Sequence, residues 1–543
     1  MQPFDSARRE LLKLSGLGFA AAAIPGSEES PEPSANPAKS PVIFDVRAYG
    51  ATGDGKTVVT PAINRAIEAA AAAGGGTVIF PSGTYLCFSI HLKSHINLYL
   101  SQGATIRAAD SPRRGEETGY NSGSYDAAEP NTPWEKYQDF GHNHWHNSLI
   151  WGESISDFSI TGPGLIDGSG LSHGRDWVPS ELGFIAEQSG VGNKTIALKN
   201  CRNVVLRDFS VLKGGHFALL LTGVDNLTID NLKIDTNRDG IDIDCCKNVR
   251  VSNCTVNSPW DDAICPKSSF ALGYARATEN VTITNCLVTG CYEVGGVLNG
   301  AFKKLPPDSR VPRTGRIKCG TESNGGFKNI TISNCVFEGC DGLALESVDG
   351  ALLEDIVVSN ITMRDLATCP IFMRLGARLR GPKESTQVGT VRRVLINNLV
   401  CHNSASKVSS ILSGIPGFAI EDVKLLNIYI QHQGNATLDM INLAPPEYEN
   451  RYPDPGMFGP MPAHGFFVRH LNNLEVSHVE IQPMQPDPRP AFYLEDVNRA
   501  DFVCVSAPTE RPAFYFKKAS DLRIVLSRAA KDTQLQFAAD QSR

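Results

Sequence analysis

At 543 residues, with 41% hydrophobic and 20% charged side chains, the chain is large and apolar enough to bury a substantial core. Its net charge of −7 argues against a nucleic-acid partner, which calls for a basic surface. No run of 18 apolar residues occurs, so no membrane span is predicted.

The chain opens with Ala7-Arg8-Arg9-Glu10-Leu11-Leu12-Lys13, followed by an apolar stretch from Leu14 to Ile24. Paired arginines ahead of a moderate apolar run are the pattern of a twin-arginine export signal, predicted over residues 1–26. A periplasmic or secreted destination in a bacterium is therefore expected. Residues 27–41 are rich in Ser, Pro, Glu and Ala, which predicts a flexible linker, and residues 42–543 are left for the fold. Asp45 to Lys56 is dense in turn formers. Pro61 to Ala73 predicts an Ala-rich helix with Thr60 as its cap and Pro61 in its first turn. Between Ser111 and Asn147 a long loop carries Trp134, Tyr137, His142, His144, Trp145 and His146. Such residues suit a sugar-stacking wall or loop packing. Zinc is the other reading of His-x-His-x-His, but no cysteine pair lies nearby to complete it.

The middle of the chain repeats itself. Asn203-Val-Val-Leu, Asn226-Leu-Thr-Ile, Asn248-Val-Arg-Val, Asn280-Val-Thr-Ile and Asn329-Ile-Thr-Ile share one pattern, with first spacings of 23 and 22 residues. Weaker copies start at Glu354, Arg392, Glu421 and Asn473. Short alternating β-branched runs separated by Asn, Asp and Gly are strands and turns. One such period is one coil of a β-solenoid, with coils stacked about 4.8 Å apart. The predicted fold class is all-β: a right-handed parallel β-helix whose open end is covered by the N-terminal helix, which hides strand edges. In this frame Cys254, Cys286 and Cys335 form a ladder of packed thiols rather than disulfides. The repeated asparagines serve turn backbone groups by stacking. The spacing of 32 from Asn248 to Asn280, and of 49 from Asn280 to Asn329, requires inserted loops or, in the second gap, one whole extra coil. From Asn473 onward further coils and an end cap are expected.

Thirteen residues after successive repeat asparagines stand His216, Asp239, Asp261 and Glu293. Asp262 follows Asp261. The winding brings these groups into one patch. Like charges stacked one strand apart repel, so a structural ladder avoids them. Clustered carboxyls separate in pKa, leaving one protonated beside others ionised. Glycoside hydrolysis needs that arrangement: an acid for the leaving oxygen and a carboxylate for water, about 6.5–9.5 Å apart in inverting enzymes. A calcium site and turn aspartates bonding their own backbone are the alternatives.

These residues resemble a known family, the polygalacturonase-like glycoside hydrolases of family 28, in the pectin-degrading β-helix superfamily. Asn237-Arg238-Asp239-Gly240-Ile241-Asp242 resembles its Asn-Thr-Asp motif, and Asp261-Asp262-Ala263-Ile264 its Asp-Asp motif. Gly50 to Lys56, Leu149-Ile-Trp-Gly152 and Ile160 to Gly168 resemble its opening coils. The resemblance implies inverting hydrolysis of α-linked galacturonic acid bonds in an acidic plant cell-wall polysaccharide or oligosaccharide, without metal or cofactor, by a monomer. By carry-over Asp261 is the general acid, and Asp239 and Asp262 activate the water. The two adjacent aspartates must sit in a turn to face one site. Two departures stand out. The family's Gly-His-Gly is absent: Gly290-Cys-Tyr-Glu293-Val-Gly295 stands there, with Glu293 or His216 to supply the polar contact. Arg316-Ile317-Lys318 matches the family's carboxylate-binding Arg-Ile-Lys in letters, but reads about one coil early. Glu346 then lies where lysine is expected. Arg316 and Lys318 are nonetheless taken as cations of the site, and Lys267 as a substrate contact or a solvated lysine. The departures point towards a different galacturonate linkage, such as rhamnogalacturonan. The rivals are a calcium-dependent lyase on the same fold and a β-helix that binds polysaccharide without cleaving it.

Overall fold

Parallel strands stacked coil upon coil account for most of this protein, as the repeat predicts. The computed structural model describes residues 42–543 apart from 140, 143, 173–187 and 406. The expected signal and linker lie outside the described residues. Among the described residues, every pairing between strands is parallel except the last, where Thr533–Ser542 runs antiparallel to Phe514–Val525. The fold is a right-handed parallel β-helix.

Register explains the core. Ile196, Leu219, Ile241, Ile264 and Ile317 face one another on successive coils, and all are fully buried. Each such side chain contributes about 1.5–3 kcal/mol on burial. Further along, Phe466, Phe492 and Phe514 stack with ring centroids 5.8 and 5.0 Å apart.

The repeat asparagines have a specific job. Asn203, Asn226, Asn248, Asn280 and Asn329 all hold φ between +52° and +58°, a region that asparagine tolerates better than most residues. Their side chains bond one another rather than the turn backbone: Asn226 Nδ2 donates to Asn203 Oδ1 at 2.9 Å and Asn280 Nδ2 to Asn248 Oδ1 at 2.9 Å. Asn329 Nδ2 donates to Asn280 Oδ1 at 2.8 Å, and Val281 stands opposite Ile330. Asn280 and Asn329 are therefore on neighbouring coils, and the whole excess between them is loop.

The helix at Thr60–Ala72 packs against the first strands, as predicted, with Ala62, Ile63, Ala66, Ile67 and Ala70 buried. Thr60 is not its cap. Val59 holds the capping position without a side-chain bond, and the Thr60 hydroxyl instead accepts from the Phe88 N–H at 2.8 Å. All fourteen cysteines are free thiols, thirteen of them buried, so the packed-thiol reading of Cys254, Cys286 and Cys335 holds.

Candidate active site

One outward-facing row of the β-helix locates the site. It runs Trp151, Ala197, Leu220, Asp242, Cys265 on successive strands. Beyond it come Lys318, Ala344, Phe372, Ile411, Phe467 and Tyr493. The early apolar members are covered by Trp145, from the long loop before Leu149. The late ones are covered by Phe458 and Met461, from the segment between Ile420–His432 and Phe466–Pro483. Between the two covers the row turns polar, at Asp242, Cys265 and Lys318. Three coils at about 4.8 Å spacing give a window on the order of 10 Å long.

The three aspartates meet there. Asp239, Asp261 and Asp262 each have a carboxylate oxygen within 4.8 Å of the others'. This is tighter than the 6.5–9.5 Å expected from the sequence reading. Asp239 opens the strand Asp239–Asp244, and Gly240 behind it lets the coils close up: a Cβ there would lie 2.5 Å from the Ala263 carbonyl oxygen. Asp261 and Asp262 sit in an irregular bend ahead of Ile264–Lys267, as their opposed facing requires. The register differs from the sequence reading by one residue. Ile241 pairs with Ile264, so Asp239 stands level with Asp262, and it is Phe217, not His216, that faces Asp239.

Cations hold the cluster together. Lys318 Nζ lies 2.5 Å and Arg316 Nε 2.9 Å from the two oxygens of Asp262. Lys267 Nζ lies 3.7 Å from Asp239 and 3.6 Å from Asp242. Arg238 Nη2 lies 2.5 Å from Asp261. The phase read from the sequence for Arg316 and Lys318 holds. Ile264 bridges directly to Ile317, so the Arg-Ile-Lys stretch is on the coil directly after the paired aspartates, and Glu346 is one coil further on, where lysine was expected. Residues 290–314 are a loop thrown out within that coil, so Arg316 and Lys318, rather than Gly290 to Gly295, come beside the aspartates. Lys267 is buried, which rules out the solvated reading.

These contacts sort the carboxyls. Burial pushes Asp239 well above the usual carboxylate range, helped by Asp242 and Asp261 and opposed by Lys267. Burial likewise raises Asp242, against Lys267. Burial alone would raise Asp262, but Lys318 and Arg316 outweigh it and hold that group ionised. One cluster therefore contains proton-holding and ionised carboxyls, as acid–base chemistry requires.

Other expected residues lie at varying distance from this centre. His216 is buried on the preceding coil, its ring edge-on to Phe217 with centroids 4.5 Å apart. Glu293 is partly exposed and pairs with Lys303 at 2.8 Å inside the 290–314 loop. The three histidines of the long loop face separate glutamates: His142 meets Glu322, His144 meets Glu135 and His146 meets Glu153. That is a packing pattern. His142 and Glu322 are fully buried. Burial would lower His142, but Glu322 raises it to about 9. Asp139 of the same loop pairs with Arg380 at 2.6 Å, and Tyr452 reaches in from the later cover to accept from Thr321 at 3.0 Å. Asp242, Glu322 and Tyr452 were not singled out by the sequence reading, and His142 was read there only as one histidine of the long loop. Only Asp242 left a signal, as the last letter of Asn-Arg-Asp-Gly-Ile-Asp.

The buried acids make stability depend on pH. Burial raises Glu346 from 4.5 to about 7 and Asp341 from 3.8 to about 6. Between those limits the native state binds more protons than the unfolded chain, so stability falls as pH rises. His142, raised from 6.5 to about 9, extends the loss through that interval. Each pKa unit is worth about 1.4 kcal/mol. The expected result is a Tm clearly higher near pH 5 than near pH 8, with His142→Gln flattening the part of the curve above pH 6.5. A Tm that rises across this range contradicts the assignment.

Residues 134–293 match the model of glycosyl hydrolases family 28, and residues 43–134 match rhamnogalacturonase A/epimerase, pectate lyase-like. A probable polygalacturonase of Vitis vinifera is 22% identical over 395 residues, covering 66% of this chain and 74% of that one. An exo-poly-alpha-D-galacturonosidase of Dickeya chrysanthemi is 24% identical, covering 62% and 57%. The structure of the Yersinia enterocolitica family 28 exopolygalacturonase superposes with a TM-score of 0.62 at 20% identity, covering 85% of this chain and 78% of that one. That likeness supports the fold.

Proposed function

We propose that this chain, whose residues 134–293 match the model of glycosyl hydrolases family 28, hydrolyses α-linked galacturonic acid bonds of pectin-type polysaccharide with inversion. The observation that carries the proposal is the meeting of Asp239, Asp261 and Asp262 on neighbouring coils. Asp261, on the rim, gives its proton to the glycosidic oxygen as the bond to the anomeric carbon breaks. A water held by Asp239 and Asp262 adds its oxygen to that carbon and passes its proton to Asp262, the ionised member of the pair. Asp262 then releases that proton to solvent and Asp261 takes one up, which closes the cycle. Because the three carboxyls are so close, the water stands beside the cluster rather than between two opposed groups. Inversion is therefore tested separately, by proton NMR of the first-formed anomer. A β-anomer is expected, and an α-anomer overturns inversion.

The substrate proposed is galacturonan itself. What supports an acidic sugar at the cluster is the pair of cations, Arg316 and Lys318, beside Asp262. What supports attack at chain ends is the short polar window between the covers built on Trp145 and Phe458. A hydrolase is favoured over a calcium-dependent lyase because lysine or arginine already neutralises each carboxylate of the cluster. With export through a twin-arginine signal, also proposed, the enzyme meets its polymer outside the cytoplasm.

Product analysis on polygalacturonate and defined oligogalacturonides tests this. Short saturated products from chain ends, with little early loss of viscosity and no effect of a chelator, are expected. An ultraviolet-absorbing unsaturated product, or a rate abolished by chelator, overturns hydrolysis in favour of the lyase. Binding with no new reducing ends overturns both.

A further inference from the structure

Arg238 occupies the place of threonine in the Asn-Thr-Asp motif that this chain resembles, and it lies against the residue assigned as acid. Its Nη2 is 2.5 Å from Asp261 Oδ2, with the two side chains 18% and 24% exposed. The second oxygen, Asp261 Oδ1, accepts from the Asp262 N–H at 3.1 Å. Both oxygens of the acid are therefore taken by donors. In this arrangement both oxygens serve as acceptors, and neither offers an O–H to a leaving group. The pair must open before the reaction.

The surroundings indicate what opens it. Four cations touch the carboxylate cluster, and three are committed to buried partners: Lys318 and Arg316 to Asp262, and Lys267 between Asp239 and Asp242. Their side chains are 7% exposed or less. Arg238 is the cation of this group that an arriving anion reaches at the rim. A uronic acid brings a planar carboxylate, and a guanidinium matches that geometry with two parallel donors.

We infer that Arg238 is the charge-reading residue of this site, and that the carboxylate of the sugar on the leaving-group side replaces Asp261 on its guanidinium. The inference rests on the reading of Asp261 as proton donor. One carboxylate is exchanged for another at Arg238. Asp261, freed and open to solvent, takes up a proton from water and turns it to the glycosidic oxygen. A neutral sugar at the same place, such as a methyl-esterified galacturonate, does not displace Asp261, and the acid stays locked. The site thus reads substrate charge through the availability of its own acid, in addition to contact.

The test uses the full-length enzyme and two oligogalacturonides that differ in methyl-esterification of the residue on the leaving-group side. The wild type is expected to prefer the free acid by about 10–100-fold in kcat/KM, the range of one charge-assisted hydrogen bond. Arg238→Gln is expected to raise KM for the free acid and to bring the preference close to one. Arg238→Lys keeps the cation and is expected to retain most of the preference, which a purely structural role would not require. Circular dichroism checks that each variant is folded. If Arg238→Gln is folded and keeps the wild-type preference, the inference fails while the hydrolase reading stands. If the wild type cleaves neither compound nor polygalacturonate, the hydrolase reading has failed and takes the inference with it.

Discussion

Asp261→Asn folds normally and turns over oligogalacturonide about 10²–10⁴-fold more slowly, the usual weight of general acid–base catalysis. Asparagine keeps the shape and an oxygen that Arg238 can donate to, but it has no proton to give to a departing oxygen at neutral or acidic pH. Asp261 lies on the rim, partly exposed, and is not a member of the core. Melting temperature and circular dichroism should therefore match the wild type closely. Steady-state kcat on a short oligogalacturonide is the measurement. A variant with near-normal kcat sinks the acid assignment and directs attention to Asp239, which burial already keeps in its proton-holding form.

Arg316→Met is expected to damage stability and turnover together. Arg316 is almost fully buried, donates to Asp262 from Nε at 2.9 Å, and lies 3.9 Å from Asp341. Methionine fills similar space and removes the charge. Asp262 then depends on Lys318, and Asp341 loses its opposing cation. Leaving a buried carboxylate short of its partner costs about 3–5 kcal/mol, which a denaturant titration reads directly. Activity should fall by about 10²-fold or more, because the ionised state of Asp262 is sustained by the cations beside it. An unchanged unfolding midpoint would mean that water reaches these groups and that the ion pairs are of surface strength.

The winding was legible because the asparagine that starts each coil is a physical requirement. A left-handed position bonded to the one above it forces the same residue to recur, so Asp239 and Asp261 could be assigned to one patch from spacing alone. The row of buried aliphatics followed from alternation. Counting failed where a coil carries an excursion. The 290–314 loop takes Gly290 to Gly295 away from the place that counting gave them, and Arg316-Ile317-Lys318 resumes the coil, with Ile317 bridged to Ile264. The loop also lent Glu293 an apparent place in the ladder, whereas that side chain pairs with Lys303 inside the loop. The one-residue slip between Asp261 and Asp262 has a similar origin: the bend at Pro259-Trp260 shifts the register from 22 to 23. Contacts such as His142 with Glu322, or Asp139 with Arg380, join segments 180 or more residues apart. No period connects them, so no reading of the repeat could have found them.

The reversal of the final strand has a consequence beyond the single molecule. A parallel coil left bare at the end of the stack would present its amides in the register that another copy's first coil could continue, and repeated addition would thread molecules into a head-to-tail filament. Thr533–Ser542, laid antiparallel on Phe514–Val525, spends those amides on a partner whose own free side no longer matches the repeat. Growth by simple continuation of the winding stops there.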